Sequence, residues 1–466
     1  MKKWIVTLLC LLLTCTVCAS AACAESLVYR GTVPWEMQNQ FESASPDITL
    51  ENQWGNTNEA FISQALTNRD ATFDVLTINA NFVYSRMLEK GLLGDLSASE
   101  ALTADMQTLD PALLPLLTDA NGHLRAYPAQ ITLSQWHINE GFWRLIFGDQ
   151  PIPSTMEELL TAWLAYETDY ADDYPGLDFY EGFTYEYLCE LLIREYAMQY
   201  EVPGEALSLD TPALRQALEL LAQIRDARKL AGKATAAADY ENGWMEVATI
   251  VNRGHGVQVM QQHLGLDSGL APELYGVPVT DDTVMPLAFA AGDPVKINAS
   301  MSVYVINPYA AHPEAALRLI EFAALADSDP YVTYAIHPQW TEPVVNPAYD
   351  LFMGFYEEEK ASLEARLAEA DPADAADLKD ELALCEYHIA QLERSRWAIS
   401  PEGLEAYRAI SDQLDFHMDS IWVGTGTNAQ SVIRETCARY AAGTMSLDMF
   451  LRELTDRMAM IILENQ

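Results

Sequence analysis

The chain has 466 residues, half of them apolar, and carries 68 acidic against 27 basic side chains for a formal net charge of −41. That length suffices for two or three ordinary domains with sizeable cores. The charge repels nucleic acid and anionic lipid surfaces, so neither is expected as a partner, and a solvated acidic surface that keeps the chain in solution accounts for it.

Residues 1–24 read as an export signal: Lys2 and Lys3 start it, Ile5 to Leu13 form its apolar core, and Ala22-Cys23-Ala24 is an A-x-A cleavage site before Glu25. Losing Lys2 and Lys3 with that segment takes the net charge from −41 to −43. Ser20-Ala21-Ala22-Cys23 also has the small residues of a lipoprotein cleavage box, although Ser20 stands where such boxes usually carry Leu. Simple release and a lipid anchor at Cys23 both stay open. The apolar core is too short to span a bilayer, and no later stretch supplies about 18 uninterrupted apolar residues. Beyond the signal only Cys189, Cys385 and Cys437 remain, far apart in sequence and odd in number, so no disulfide framework is expected.

Three strand-helix units follow. Leu27 to Thr32 reads as a strand and Trp35 to Ala44 as a helix ended near Pro46. Ile48 to Glu51 is the second strand, followed by a helix through Phe61, Ile62, Ala65 and Leu66. Phe73 to Ile78 is the third, with a helix from Asn81 to Lys90 that closes at Gly91. This alternation predicts an α/β fold, a mostly parallel sheet flanked by helices, with ligands beyond the carboxyl ends of its strands. The loops after Thr32, Glu51 and Ile78 therefore form the expected binding edge.

Asn121-Gly122 is a turn signal leading into an extended run from Leu124 to Ile138. A short helix carries Phe142, Trp143, Ile146 and Phe147 and is stopped by Pro151 and Pro153. Ser154-Thr155-Met156-Glu157 reads as a capping box for a helix with the apolar stripe Met156, Leu159, Leu160, Trp163 and Leu164. This layout resembles the first hinge crossing of family 1 extracellular solute-binding proteins. Further pieces are similar to that family and lie in its order. They are Phe73-Asp74-Val75 with the stretch Glu89 to Leu96, Leu209 to Leu214, His312 to Leu317 after a return strand Met301 to Ile306, and Tyr440 to Ser446 before a final helix.

The resemblance implies a two-lobed, periplasmic-binding-protein-like fold with hinge crossovers. Lobe one is expected at 25–135 plus 293–340, and lobe two at 136–292 plus 341–466. Residues 350–397 stand out as an added helical hairpin, with Leu363 and Leu367 on one helix, Leu378, Leu382, Ile389 and Leu392 on the other, and a break at Asp371-Pro372. Its charged outer faces suit a decoration on lobe two. A docking surface for a membrane partner is the other reading.

Sugar sites use flat aromatic rings against the C–H faces of pyranoses and amides against the hydroxyls. Trp35, Trp54, Asn56, Asn79 and Asn81 fall at the expected binding edge. Trp136 in the crossing, Tyr180 in an acidic aromatic segment, Trp244 in Asn242-Gly243-Trp244 and Trp340 near the last crossing complete the candidate ligand contacts. Trp143 and Trp163, on helical stripes, are expected to be packing. Asp169, Asp172, Asp173, Asp178 and Glu181 lack the spacing of a calcium loop, so no metal is assigned. No nucleophile elbow, zinc helix or phosphate loop is present, no cofactor is implied, and Thr427 with Gln430 reads as a helix cap.

The resemblance thus implies a non-enzymatic, monomeric capture protein of an ABC-type importer. It takes an oligosaccharide between its lobes by hinge closure and passes it to a permease in the membrane. An exported glycan hydrolase with a carboxylate pair, and a cell-surface interaction module, are the alternatives.

Overall fold

The computed structural model describes residues 25–31, 33–180, 184–202, 205–230, 248–255, 273–275, 277–278, 282–326, 336–346, 349–371, 375–394, 396–416, 418, 420–423 and 428–465. The chain divides into two compact units, residues 1–130 with 301–339 and residues 131–300 with 340–466. The junctions fall at 130/131, 300/301 and 339/340, against 135/136, 292/293 and 340/341 in the sequence reading.

Unit 1 opens with β1 (Glu25–Arg30), α1 (Trp35–Ala44), β2 (Ile48–Gln53), α2 (Glu59–Thr67), β3 (Val75–Asn79) and α3 (Phe82–Glu89). β1 pairs in parallel with β2 and with β3, Arg30 lying opposite both Gln53 and Leu76. Leu27, Ile48, Leu50, Val75, Leu76 and Ile78 are buried in the sheet, and Phe41, Ile62, Leu66 and Tyr84 are buried from the helices. Asn58 caps α2 by accepting from the Ala60 N–H, and Asn81 caps α3 by accepting from Val83 and Tyr84.

β4 (Tyr127–Asn139) carries the chain into unit 2. There follow α4 (Glu140–Phe147), α5 (Met156–Ala165), β5 (Leu177–Tyr180), α6 (Tyr185–Tyr200), α7 (Pro212–Leu230), β6 (Ala248–His255) and β7 (Asp282–Val284). β5 and β6 are parallel, and β4 is antiparallel to both β6 and β7. The stripe Leu214, Ala217, Leu218 and Leu221 of α7 is buried as its spacing predicts. The capping box of α5 is displaced by one residue from the sequence reading. Thr155 is the N-cap and Glu158, not Glu157, closes the box. Ala288 explains the shift: its N–H donates to the Ser154 carbonyl at 3.0 Å and its carbonyl accepts from Met156 N at 2.9 Å, which holds Thr155 extended.

β8 (Ile297–Ile306) returns to unit 1 and pairs antiparallel with β3, Ser302 opposite Asn79. α8 (Pro313–Glu321) follows. The residues behind the family-like motifs meet here. Asp74 is buried, its Oδ2 accepting from Val28 N at 2.9 Å and its Oδ1 from His312 N at 3.1 Å. Asn307 donates its amide to the carbonyls of Asp70 at 2.7 Å and Phe73 at 2.8 Å. Gly94 is required because a Cβ there would stand 2.8 Å from the Ile306 carbonyl.

The last stretch belongs to unit 2. β9 (Val344–Val345) leads into α9 (Tyr349–Glu369) and α10 (Ala375–Arg394), the expected hairpin, and β10 (Trp397–Ile399) pairs antiparallel with β9 at its base. The hairpin has its own apolar clusters, Tyr349 with Met353 and Leu392, and Leu363 with Leu378 and Cys385. α11 (Pro401–Ser411), α12 (Asn428–Ala441) and α13 (Leu447–Asn465) end the chain. No helix among the described residues is long and apolar enough to cross a membrane.

Candidate functional site

Parallel strands bring the carboxyl ends of β1, β2 and β3 to one edge of unit 1. Two tryptophans stand on the segments leaving that edge. Trp35, in the first turn of α1 after Pro34, is 75% exposed, and Trp54, directly after β2, is 79% exposed. An indole left in water forgoes burial that every core tryptophan of this chain obtains, so the pair is the informative exception on this surface.

The amides beside them are held in place by the fold. The Asn56 carbonyl accepts from Arg30 Nε at 3.2 Å, while its side-chain Oδ1 accepts from Asn58 N at 2.9 Å. Asn79 ends β3 in an exposed position. Its Nδ2 donates to Glu59 Oε1 at 2.9 Å and its Oδ1 accepts from Ser302 Oγ at 3.0 Å. Asn81 is buried by its capping role, and its Nδ2 has no partner among the described residues. Each amide keeps hydrogen-bonding capacity beyond these contacts.

Two residues of this edge escaped the sequence reading. Glu59 is 5% exposed and ties the start of α2 to the end of β3 through Asn79. Its one sequence signal is an acid in the first turn after the Asn58 cap. Arg30, 8% exposed, sits under the loop that follows β2. A lone basic residue ending an apolar strand was the sign of it.

Trp136 and Tyr180 belong elsewhere and correct the sequence reading. Both are buried in unit 2, their ring centroids 5.6 Å apart, in an aromatic core with Trp163 and Phe179. β4 turns Trp136 toward α6, where its Nε1 donates to Glu195 Oε2 at 3.5 Å. The cavities lined by these rings measure about 10 Å³ and 20 Å³. That is room for about one water, far below the several hundred Å³ that a small-molecule site encloses. Trp143 and Trp163 are buried packing. Trp340 is 44% exposed at the start of the last stretch of unit 2. Trp244, Glu181 and Thr427 lie outside the described residues.

The acids of the 167–187 segment are largely accounted for by pairing or exposure. Glu167 is buried beneath Trp163 Nε1, which donates to it at 3.0 Å, and pairs with Arg228 at 2.8 Å; Arg228 reaches Asp178 at 3.6 Å. Among the described residues no group of three or more acids, histidines or cysteines is placed to hold a metal ion.

No protein-family model and no curated protein matches the sequence. Solved structures do match over almost the whole chain. MalE3 of T. maritima with maltose bound is 16% identical, covers 94% of this chain and 100% of its own, and has a TM-score of 0.51. An ABC substrate-binding protein of Listeria monocytogenes in complex with cycloalternan is 13% identical, with coverage of 93% and 98% and a TM-score of 0.52. A structure of a de novo designed esterase matches equally, at 14% identity, coverage of 95% and 99% and a TM-score of 0.53, so the likeness speaks of fold and not of chemistry. The fold of this chain is the two-lobed α/β fold of ABC-transporter solute-binding proteins.

Proposed function

We propose that this protein is the extracellular capture component of an ABC-type importer and that its cargo is a carbohydrate, an oligosaccharide rather than a single sugar. The observation that carries the reading is the pair of exposed tryptophans, Trp35 and Trp54, at the carboxyl edge of parallel strands with Asn56 and Asn79 beside them. Two flat apolar platforms with amides at the same sheet edge suit successive pyranose rings, whose faces are apolar and whose rims are hydroxyls. The maltose and cycloalternan held by proteins of the same fold support the same class of cargo.

Trp340 is proposed as a contact from the second unit. Capture shifts a conformational equilibrium only if the sugar binds the closed form better than the open one, which requires contacts from both units. The chain is proposed to act as a monomer, exported by residues 1–24, free or anchored at Cys23, and to deliver its cargo to a membrane permease without chemical change. Glu59, the buried carboxylate at the edge, is engaged by Asn79, which suits a binding role better than acid-base work.

Thermal unfolding of residues 25–466 against a panel of mono- and oligosaccharides tests the reading. A ligand at about a hundred times its dissociation constant adds roughly 2.7 kcal/mol of stability, visible as a raised midpoint. Selective shifts with oligosaccharides are expected; unchanged midpoints throughout, from a folded sample, would reject sugar as cargo.

A further inference from the structure

Burying a guanidinium is costly unless its donors find acceptors and its charge finds compensation. Arg30, at the end of β1, is 8% exposed, and its partners among the described residues are neutral. Its guanidinium carbon lies 5.0 Å from the ring centre of Phe61 and 5.1 Å from that of Phe73, whose faces supply the negative potential that a carboxylate would otherwise give. Nε donates to the Asn56 carbonyl at 3.2 Å and Nη1 to Gln53 Oε1 at 3.3 Å. These two acceptors bracket Trp54. Between them Gly55 passes so close that an added Cβ would stand 3.2 Å from Nη2. The loop is therefore fastened at its backbone after Trp54 and through the Gln53 side chain before it, around an indole that is 79% exposed and has little packing of its own.

We infer that Arg30 is a positioning residue: from inside unit 1 it holds the backbone after Trp54 through the Asn56 carbonyl and the Gln53 side chain before it, and so sets how the exposed indole stands. The weight of that orientation for capture rests on the function proposed above, whereas the positional claim does not.

Fluorine NMR of the chain from Glu25 onward, labelled with 5-fluorotryptophan, tests it without any ligand. Trp54→Phe and Trp35→Phe assign the two resonances by their loss. In Arg30→Met the Trp54 resonance is expected to move toward its position in the unfolded chain while Trp35 and the buried tryptophans keep theirs. Gly55→Val, which pushes on the guanidinium without removing a buried charge, is expected to move the Trp54 resonance in the same selective way and covers the case in which Arg30→Met does not fold. A Trp54 resonance that stays put in the folded variants, or tryptophan resonances that all move together, would overturn the assignment. Flat sugar titrations alongside a selectively displaced Trp54 would count against the proposed cargo and leave the positional claim standing.

Discussion

Two tryptophans of this chain should answer oppositely to the same substitution. Trp54 is 79% exposed, whereas Trp163 is 4% exposed, stacked on Phe179 at 5.6 Å and 12°, with its Nε1 bonded to Glu167. An aromatic side chain has roughly 200 Å² to bury, of which Trp54 leaves roughly 160 Å² in water. A pyranose ring covering one face removes about half of that, roughly 80 Å². At about 25 cal/mol per Å² this is about 2 kcal/mol, or a roughly 30-fold change in dissociation constant. Trp54→Ala is therefore expected to weaken the best oligosaccharide of the thermal panel by about that factor while changing stability by no more than about 0.5 kcal/mol. Trp163→Ala should cost about 3–5 kcal/mol in urea unfolding, because it opens a cavity and strips a partner from the buried Glu167. Isothermal titration and urea melts on the two variants separate the cases. Unaltered affinity in Trp54→Ala, or a loss of several kcal/mol of stability there, would refute the reasoning.

Other consequences concern stability, pH and the hairpin. Asn307→Ala leaves the buried carbonyl of Phe73, the half-buried carbonyl of Asp70 and the Tyr309 N–H without their partner and should destabilise the protein by about 2–4 kcal/mol, read from urea midpoints. Burial lowers the pKa of His137 from 6.5 to about 4. The unfolded chain then binds a proton that the folded chain does not, so this residue's effect is to lower stability as pH falls from about 6.5 to 4, by up to about 3 kcal/mol. His137→Gln should flatten the acid limb of stability against pH by that amount, and an identical pH profile in the variant would contradict the assignment. The base of the hairpin is closed by Asn346 N donating to the Arg396 carbonyl at 2.9 Å. Replacing 350–393 by a short Gly-Ser link should therefore preserve sugar affinity, and loss of binding from a folded variant would implicate the hairpin in capture.

The strand-helix order of unit 1 was legible because each element carries its own signal: apolar runs of strand length, Asn caps at Asn58 and Asn81, and a glycine closing α3 at Gly91, where φ is +65°. Trp163 was legible as core because helical spacing states which face is covered. Trp136 was not. Period-two alternation separates the two faces of β4 without saying that one lies under α6. The cap of α5 was misplaced by one residue because Ser154 and Thr155 each precede an acid at the right spacing, and a contact with the distant Ala288 decides between them. The cysteines illustrate the same limit. Cys189 on α6 and Cys437 on α12 are 248 positions apart in sequence, yet both are buried, on helices whose Tyr185 and Tyr440 pack together at 6.3 Å between ring centres. Arg30 and Glu59 were missed because their roles rest on contacts made only once the strands are side by side.

Capture without chemistry is the central claim, and equilibrium dialysis tests it most directly. The oligosaccharide that most raises the melting midpoint is dialysed against residues 25–466, and both compartments are then analysed by chromatography. One sugar bound per chain at saturation, recovered intact after prolonged incubation, is the expected result. Shortened products that accumulate with time, or no retention of any sugar by a folded sample, would contradict it.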